Sequence, residues 1–203
     1  MTEKIKVLYI HGFMSGANSM TLRKLKKDYE YIYDFIVPEL TGDPEESLTI
    51  VNDIIKNEKP SLIIGSSLGG FYALVCDSGN IPIIVVNPCV DPYRHMQQYL
   101  DKELKYHSKR NDGKTTYVLT KDIIERFRNY DLEKCVKSKI RYISIVVSDN
   151  DEILGDSHYN FFKRIKKEMK LPRLFMMVGS FGHRAYPFGM SDLNTMIYDV
   201  MWP

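Results

Sequence analysis

Cysteine is scarce in this sequence: Cys76, Cys89 and Cys135 are odd in number and far apart. That argues against a disulfide framework and suits reduced thiols in a cytoplasmic protein, with small buried packing as their expected role. An excess of one charge is missing too. Lys and Arg total 28 against 26 Asp and Glu, so no polybasic face argues for nucleic acid or an anionic membrane, and the expected partner is a small molecule. No apolar run reaches membrane-spanning length, and "MTEKIKVLYIHGF" at the start holds too short a run for a signal peptide. The chain reads as mature, soluble protein. Repeats and low-complexity tracts are also lacking, and the 203 residues suit one domain over 1–203. Oligomeric state is not readable from the sequence.

What is present is a series of short apolar runs. They are Lys6–Ile10, Tyr33–Leu40, Ser61–Gly65, Ile81–Pro88, Arg141–Val147 and Arg173–Gly179. Most lack the alternation of a half-wet strand and read as parallel strands covered on both faces. Helix-like segments lie between them. Glu45–Asn57 follows Asp43 and Pro44, a cap and a first-turn proline, and carries Leu48, Val51, Ile54 and Ile55 at helical spacing. Phe71–Asp77, Tyr159–Met169 and Asp192–Met201 read similarly. Strand alternating with helix predicts an α/β fold with a doubly wound, mostly parallel sheet, whose ligand sites lie at the carboxyl ends of the strands.

One stretch, 91–139, breaks the alternation. It is charged and tyrosine-rich, with a turn signal at Asn111–Gly113. Helices are expected near Pro92–Tyr106 and Lys121–Tyr130. The segment is either a surface crossover or a small cap in which Tyr93, Tyr99 and Tyr117 line a substrate pocket.

The stretch "SLIIGSSLGG" carries the chemistry. Gly65-Ser66-Ser67-Leu68-Gly69 fits G-x-S-x-G, which places its middle serine on a strained strand-to-helix turn, and the register selects Ser67 over Ser66. A P-loop would need a lysine that Gly65–Tyr72 lacks, and a dinucleotide fingerprint would need G-x-G. A serine hydroxyl needs a base and a group to orient that base, following it in the order acid, histidine. Of five histidines, His183 in "VGSFGHRAY" comes just after the last apolar run. His11 precedes the serine and is expected to buttress its loop; His95 and His107 fall in the excursion, and His158 starts a charged helix. "IVVSDNDEIL" offers Asp149, Asp151 and Glu152; Asp151 fits best and Asp149 is the alternative. A calcium loop is excluded there by the missing glycine at the sixth position. The backbone N–H groups of Leu68 and Phe13, the latter in "YIHGF", are the expected oxyanion donors. Phe13, Met14, Tyr93 and Tyr186 are further pocket candidates. No metal and no organic cofactor is needed.

Together "YIHGF", "GSSLGG", "VVNP", "SDNDEIL" and "GSFGH" resemble the alpha/beta-hydrolase superfamily, and within it the small bacterial esterases of the YqiA/YcfP type. The resemblance spans nearly the whole chain and is weakest over 91–130. It implies a serine esterase acting on carboxylic esters or acyl thioesters, with Ser67, Asp151 and His183 in the triad positions. An acyltransferase on the same residues and a non-catalytic binding module of the same fold are the alternatives. A cysteine enzyme centred on Cys89 is disfavoured because "VVNPCV" has no glycine elbow; Cys89 is expected to pack beneath the site and Asn87-Pro88 to shape the strand end.

Overall fold

Six short strands set the frame, and the four inner ones are mostly buried on both faces. The computed structural model describes residues 4–170 and 176–183. In chain order its elements are β1 (Ile5–Ile10), α1 (Met20–Tyr29), β2 (Tyr33–Ile36), α2 (Pro44–Glu58), β3 (Leu62–Ser66), α3 (Leu68–Val75), β4 (Ile83–Val86), α4 (Pro92–Met96), β5 (Glu103–Lys105), β6 (Thr116–Val118), α5 (Lys121–Arg126), α6 (Leu132–Lys139), β7 (Ile143–Ser148), α7 (Ser157–Glu168) and β8 (Met176–Gly179). The main sheet has the order β2-β1-β3-β4-β7-β8, with every neighbouring pair parallel. Helices cover both faces of this sheet, giving the expected doubly wound, parallel α/β architecture.

Alternate residues of each strand feed two cores. Leu8, Ile10, Ile63, Val85 and Ile145 pack with Leu48 and Val51 of α2, Phe71 and Leu74 of α3 and Phe162 of α7. Val7, Tyr9, Ile64, Ile84 and Val146 pack with Leu22, Leu25 and Tyr29 of α1. This two-sided covering is why the strands read as nearly unbroken apolar runs.

Local chemistry sets the helix ends. Asp43 caps α2 by accepting from Glu45 N at 2.9 Å, Pro44 opens the first turn, and Lys59 closes the helix at a φ of 50°. Helix α3 begins at Leu68, directly after Ser67, three residues earlier than the apolar run predicts. The expected helix over Asp192–Met201, and residues 173–175 of the last apolar run, lie outside the described residues.

The excursion differs from expectation. Instead of a helix over Pro92–Tyr106, α4 stops at Met96, one 3-10 turn follows over Gln97–Tyr99, and Asp101 turns the chain at a φ of 56°. The chain then forms an antiparallel hairpin, β5 with β6, whose second strand carries Thr116 and Val118, residues suited to a pleated ladder. The expected helix over Lys121–Tyr130 is α5 followed by a 3-10 turn at Phe127–Asn129. Helices α1 and α6, capped by Ser19 and Asp131, were not anticipated.

Candidate active site

Strand β3 delivers Ser67 to a turn that ordinary residues avoid. Ser67 has φ 53° and ψ −122°, a conformation that persists only where its surroundings fix it. Its N–H donates to Val86 O at 3.0 Å, and its carbonyl accepts from the N–H groups of Gly70, Phe71 and Cys89. Helix α3 sits so close to β1 that a Cβ on Gly69 would lie 2.0 Å from Ile10 O. A Cβ on Gly12 would lie 3.1 Å from Ser67 Cβ. Ser66 takes the other side of the strand, its Oγ 3.2 Å from the Tyr9 hydroxyl.

Two later loops meet the serine. His183 Nε2 is 2.9 Å from Ser67 Oγ, and His183 Nδ1 is 2.7 Å from Asp151 Oδ2. Asp151 is buried, and its Oδ1 accepts from the N–H groups of Ile153 and Leu154 at 2.9 and 2.7 Å. Burial pushes its carboxyl pKa up, but the hydrogen bonds from His183, Leu154 and Ile153 outweigh that and leave it below the ordinary value. An ionised Asp151 places the imidazole proton on Nδ1, so Nε2 accepts from the serine hydroxyl. Asp149 faces elsewhere, accepting from Ser180 Oγ at 2.6 Å.

The loop bearing His183 is held at nearly every residue. Ser148 Oγ accepts from Phe181 N and Gly182 N, Asn150 Oδ1 accepts from Gly182 N, and Glu152 Oε2 accepts from His183 N. Asn87, buried at a φ of 41°, donates Nδ2 to the carbonyls of Gly182 and His183 and accepts from Ser148 N through Oδ1. These supporting residues were missed by sequence reasoning, except that Asn87 was expected to shape its strand end; the shared signal is short polar residues at the ends of two apolar strand runs.

The expected oxyanion donors, the N–H groups of Phe13 and Leu68, belong to two residues that line one recess. Among the described residues neither has an acceptor, as expected of a first helical residue for Leu68. His11 braces this loop: its Nδ1–H donates to Gly12 O at 2.9 Å and its Nε2 accepts from Leu40 N at 3.4 Å. Burial lowers the His11 pKa and favours this neutral form.

A recess of about 240 Å3, open mouth included, adjoins the two donors. Its walls are His11 to Met14, Leu40 to Gly42, Leu68, Tyr72 and Tyr106. Of the expected pocket residues, Phe13 and Met14 line it. Tyr93 instead lies under the Arg128 guanidinium at 3.8 Å and donates its hydroxyl to Glu125. Tyr117 backs the wall from outside, against Gly42, while Tyr99 stacks on Phe13 with ring centroids 5.3 Å apart. Tyr186 lies outside the described residues. Cys89 is buried with its thiol pKa raised by burial. Among the described residues no group of three His, Cys, Asp or Glu side chains could hold a metal ion, and no helix is long and apolar enough to cross a membrane.

A model of the family described as "Uncharacterised protein family (UPF0227)" matches residues 6–169. The chain belongs to that family. A UPF0227 protein from Serratia proteamaculans (strain 568) is 28% identical over 160 residues, covering 73% of this chain and 76% of that one. Among solved structures, Est1E from Butyrivibrio proteoclasticus is similar at a TM-score of 0.66 and 14% identity, over 98% of this chain and 87% of that chain. The esterase domain of a Rhodothermus marinus protein gives 0.64 and 19%, over 98% and 86%. A Pyrococcus furiosus esterase gives 0.66 and 14%, over 98% and 83%. At these identities the likeness is one of fold. The UPF0227 match ends before His183, so the histidine loop is carried by the geometry rather than by the family model.

Proposed function

We propose that this chain is a serine hydrolase that cleaves carboxylic esters or thioesters through an acyl-enzyme intermediate. The carrying observation is the continuous chain of contacts from Ser67 Oγ to His183 at 2.9 Å and from His183 to Asp151 at 2.7 Å. The esterase names of the fold neighbours support the same chemistry. In this reading the chain is one domain, 91–139 is its cap, and the partner is a small molecule.

The steps follow from where each atom sits. Ser67 Oγ attacks the carbonyl carbon as His183 Nε2 takes its proton. Asp151 does not accept that proton; it fixes the tautomer and stabilises the imidazolium. The negative charge that develops on the carbonyl oxygen meets the N–H groups of Phe13 and Leu68, each worth on the order of 3 kcal/mol in the transition state. Protonated His183 then gives its proton to the departing alcohol or thiol, and water repeats the sequence on the acyl-enzyme.

A fluorophosphonate probe tests this reading on the full chain. The expected result is covalent labelling at Ser67, abolished in Ser67→Ala, together with release of p-nitrophenol from p-nitrophenyl acetate. Folded protein that neither labels nor turns over would overturn it.

A further inference from the structure

We infer that Arg110, in the connection of the β5–β6 hairpin, is a positioning residue for the oxyanion donor of Phe13, and that it acts through Leu40 and His11. The inference rests on the serine-hydrolase reading and adds to it a residue outside the triad.

The loop that carries Phe13 runs against the nucleophile. A Cβ on Gly12 would lie 3.1 Å from Ser67 Cβ and 3.6 Å from Ser67 Oγ. The carbonyl of Gly12 and the N–H of Phe13 are opposite ends of one planar trans peptide. Whatever holds that carbonyl aims the N–H.

A relay of hydrogen bonds holds it. Arg110 Nη1 donates to Leu40 O at 2.8 Å, Leu40 N donates to His11 Nε2 at 3.4 Å, and His11 Nδ1–H donates to Gly12 O at 2.9 Å. The guanidinium fixes Leu40, and the Leu40 N–H fixes the tautomer of the imidazole. Two further bonds from the hairpin connection reach the same segments: Asn111 N donates to Glu39 Oε1 at 2.9 Å, and His107 N donates to Met14 O at 2.8 Å. Met14 has a φ of 54°, a conformation that its surroundings must impose. Phe13 is therefore held through the residue before it and the residue after it, and both holds lead to the hairpin.

The burial of Arg110 argues for a task beyond stability. Its side chain is fully covered, pairs with Asp112 at 2.5 Å and Glu39 at 3.5 Å, and lies over the Tyr106 ring at 4.2 Å. Apolar residues of similar volume often stabilise a core as well as a buried ion pair does. They would supply no donor at Leu40 O. The planar fork binds Asp112 with Nε and Nη2 and leaves Nη1 for the loop.

The test compares Arg110→Met, His11→Gln and the double variant in hydrolysis of p-nitrophenyl acetate, with kcat expressed per Ser67 site labelled by the fluorophosphonate probe. Arg110→Met should lower kcat about 10-fold to 100-fold with KM within about twofold, the size of effect that a donor displaced by about 1 Å produces. In the His11→Gln background the same change should cost less than about threefold, because two links of one relay are not independent. Should Arg110→Met fail to fold by circular dichroism, Arg110→Lys, which keeps the charge but loses the fork, should lower kcat about fivefold or more with KM again held. A merely structural Arg110 would reduce the fraction that labels and leave kcat per labelled site unchanged. That outcome in either variant, a change confined to KM, or losses that multiply in the double variant overturns this inference alone. A folded native chain that neither labels nor turns over overturns the hydrolase reading beneath it.

Discussion

Asn87 Nδ2 lies 3.2 Å from the carbonyl oxygen of His183, although 96 positions separate the two residues. The same amide reaches Gly182 O at 3.0 Å, and its oxygen takes Ser148 N at 2.7 Å. One side chain at the end of β4 thus joins β7 to the loop that presents the imidazole.

Asn87→Ala removes all three bonds and leaves buried polar atoms unpaired. A loss of about 2–4 kcal/mol is expected, at roughly 1 kcal/mol or more for each. Urea unfolding measures it. The kcat for p-nitrophenyl acetate should fall about 10²-fold as the imidazole loses its position.

Ser67→Ala should lower kcat roughly 10⁴-fold to 10⁶-fold with the fold intact, as judged by circular dichroism. Asp151→Asn should cost about 10⁴-fold by presenting the wrong tautomer. Asp149→Asn should stay within about tenfold, because Asp149 supports Ser180 and does not touch the imidazole. Equal losses at 149 and 151 would assign the acid wrongly.

Gly69→Ala drives a methyl group against the Ile10 and His11 carbonyls, 2.0 and 2.5 Å away. Helix α3 must then separate from β1, carrying Ser67 and Leu68 with it. Destabilisation of about 1–3 kcal/mol is expected. Labelling by the fluorophosphonate probe should slow about 10²-fold; unchanged labelling would show that the turn tolerates the shift.

His158, at the start of α7, is fully buried 3.8 Å from Asp151 Oδ2. Burial lowers its pKa from the ordinary 6.5; the His183 imidazole acts in the same direction, and the carboxylates of Asp151 and Asp156 oppose it. The folded state therefore holds His158 neutral while the unfolded chain binds a proton first. Stability from this site is complete above about pH 6.5 and is lost as pH falls from there toward the folded pKa. Melting temperature should drop between pH 7 and pH 5, less steeply in His158→Gln. The remaining slope belongs partly to His11, which burial also holds neutral.

Much of this was legible before any coordinates. The strands around Ile64, Val85 and Ile145 announce themselves because both faces are covered, and Gly65 to Gly69 announce the turn because few sequences tolerate it. Helix α1 was hidden by its charge: only Leu22, Leu25 and Tyr29 mark its inner face among lysines and arginine. The β5–β6 hairpin was hidden by length, since three-residue strands owe their existence to the partner strand rather than to their own pattern. Arg110 reads as a surface cation until Leu40, 70 positions earlier, is brought beneath it. His158 reads as solvated for the same reason, its neighbours being charged while its own ring is covered. Choosing between Asp149 and Asp151 required register at a strand end, where a shift of a residue or two is invisible to composition.

The hydroxyl and the imidazole that meet at 2.9 Å are 116 positions apart. The imidazole follows β8, which among the described residues joins the sheet by pairing with β7. On the proposed mechanism, a chain still leaving the ribosome can complete its serine turn and yet lack its base until β8 docks on β7. On the same mechanism, a chain clipped before position 176 would lack the base and is expected to be inactive.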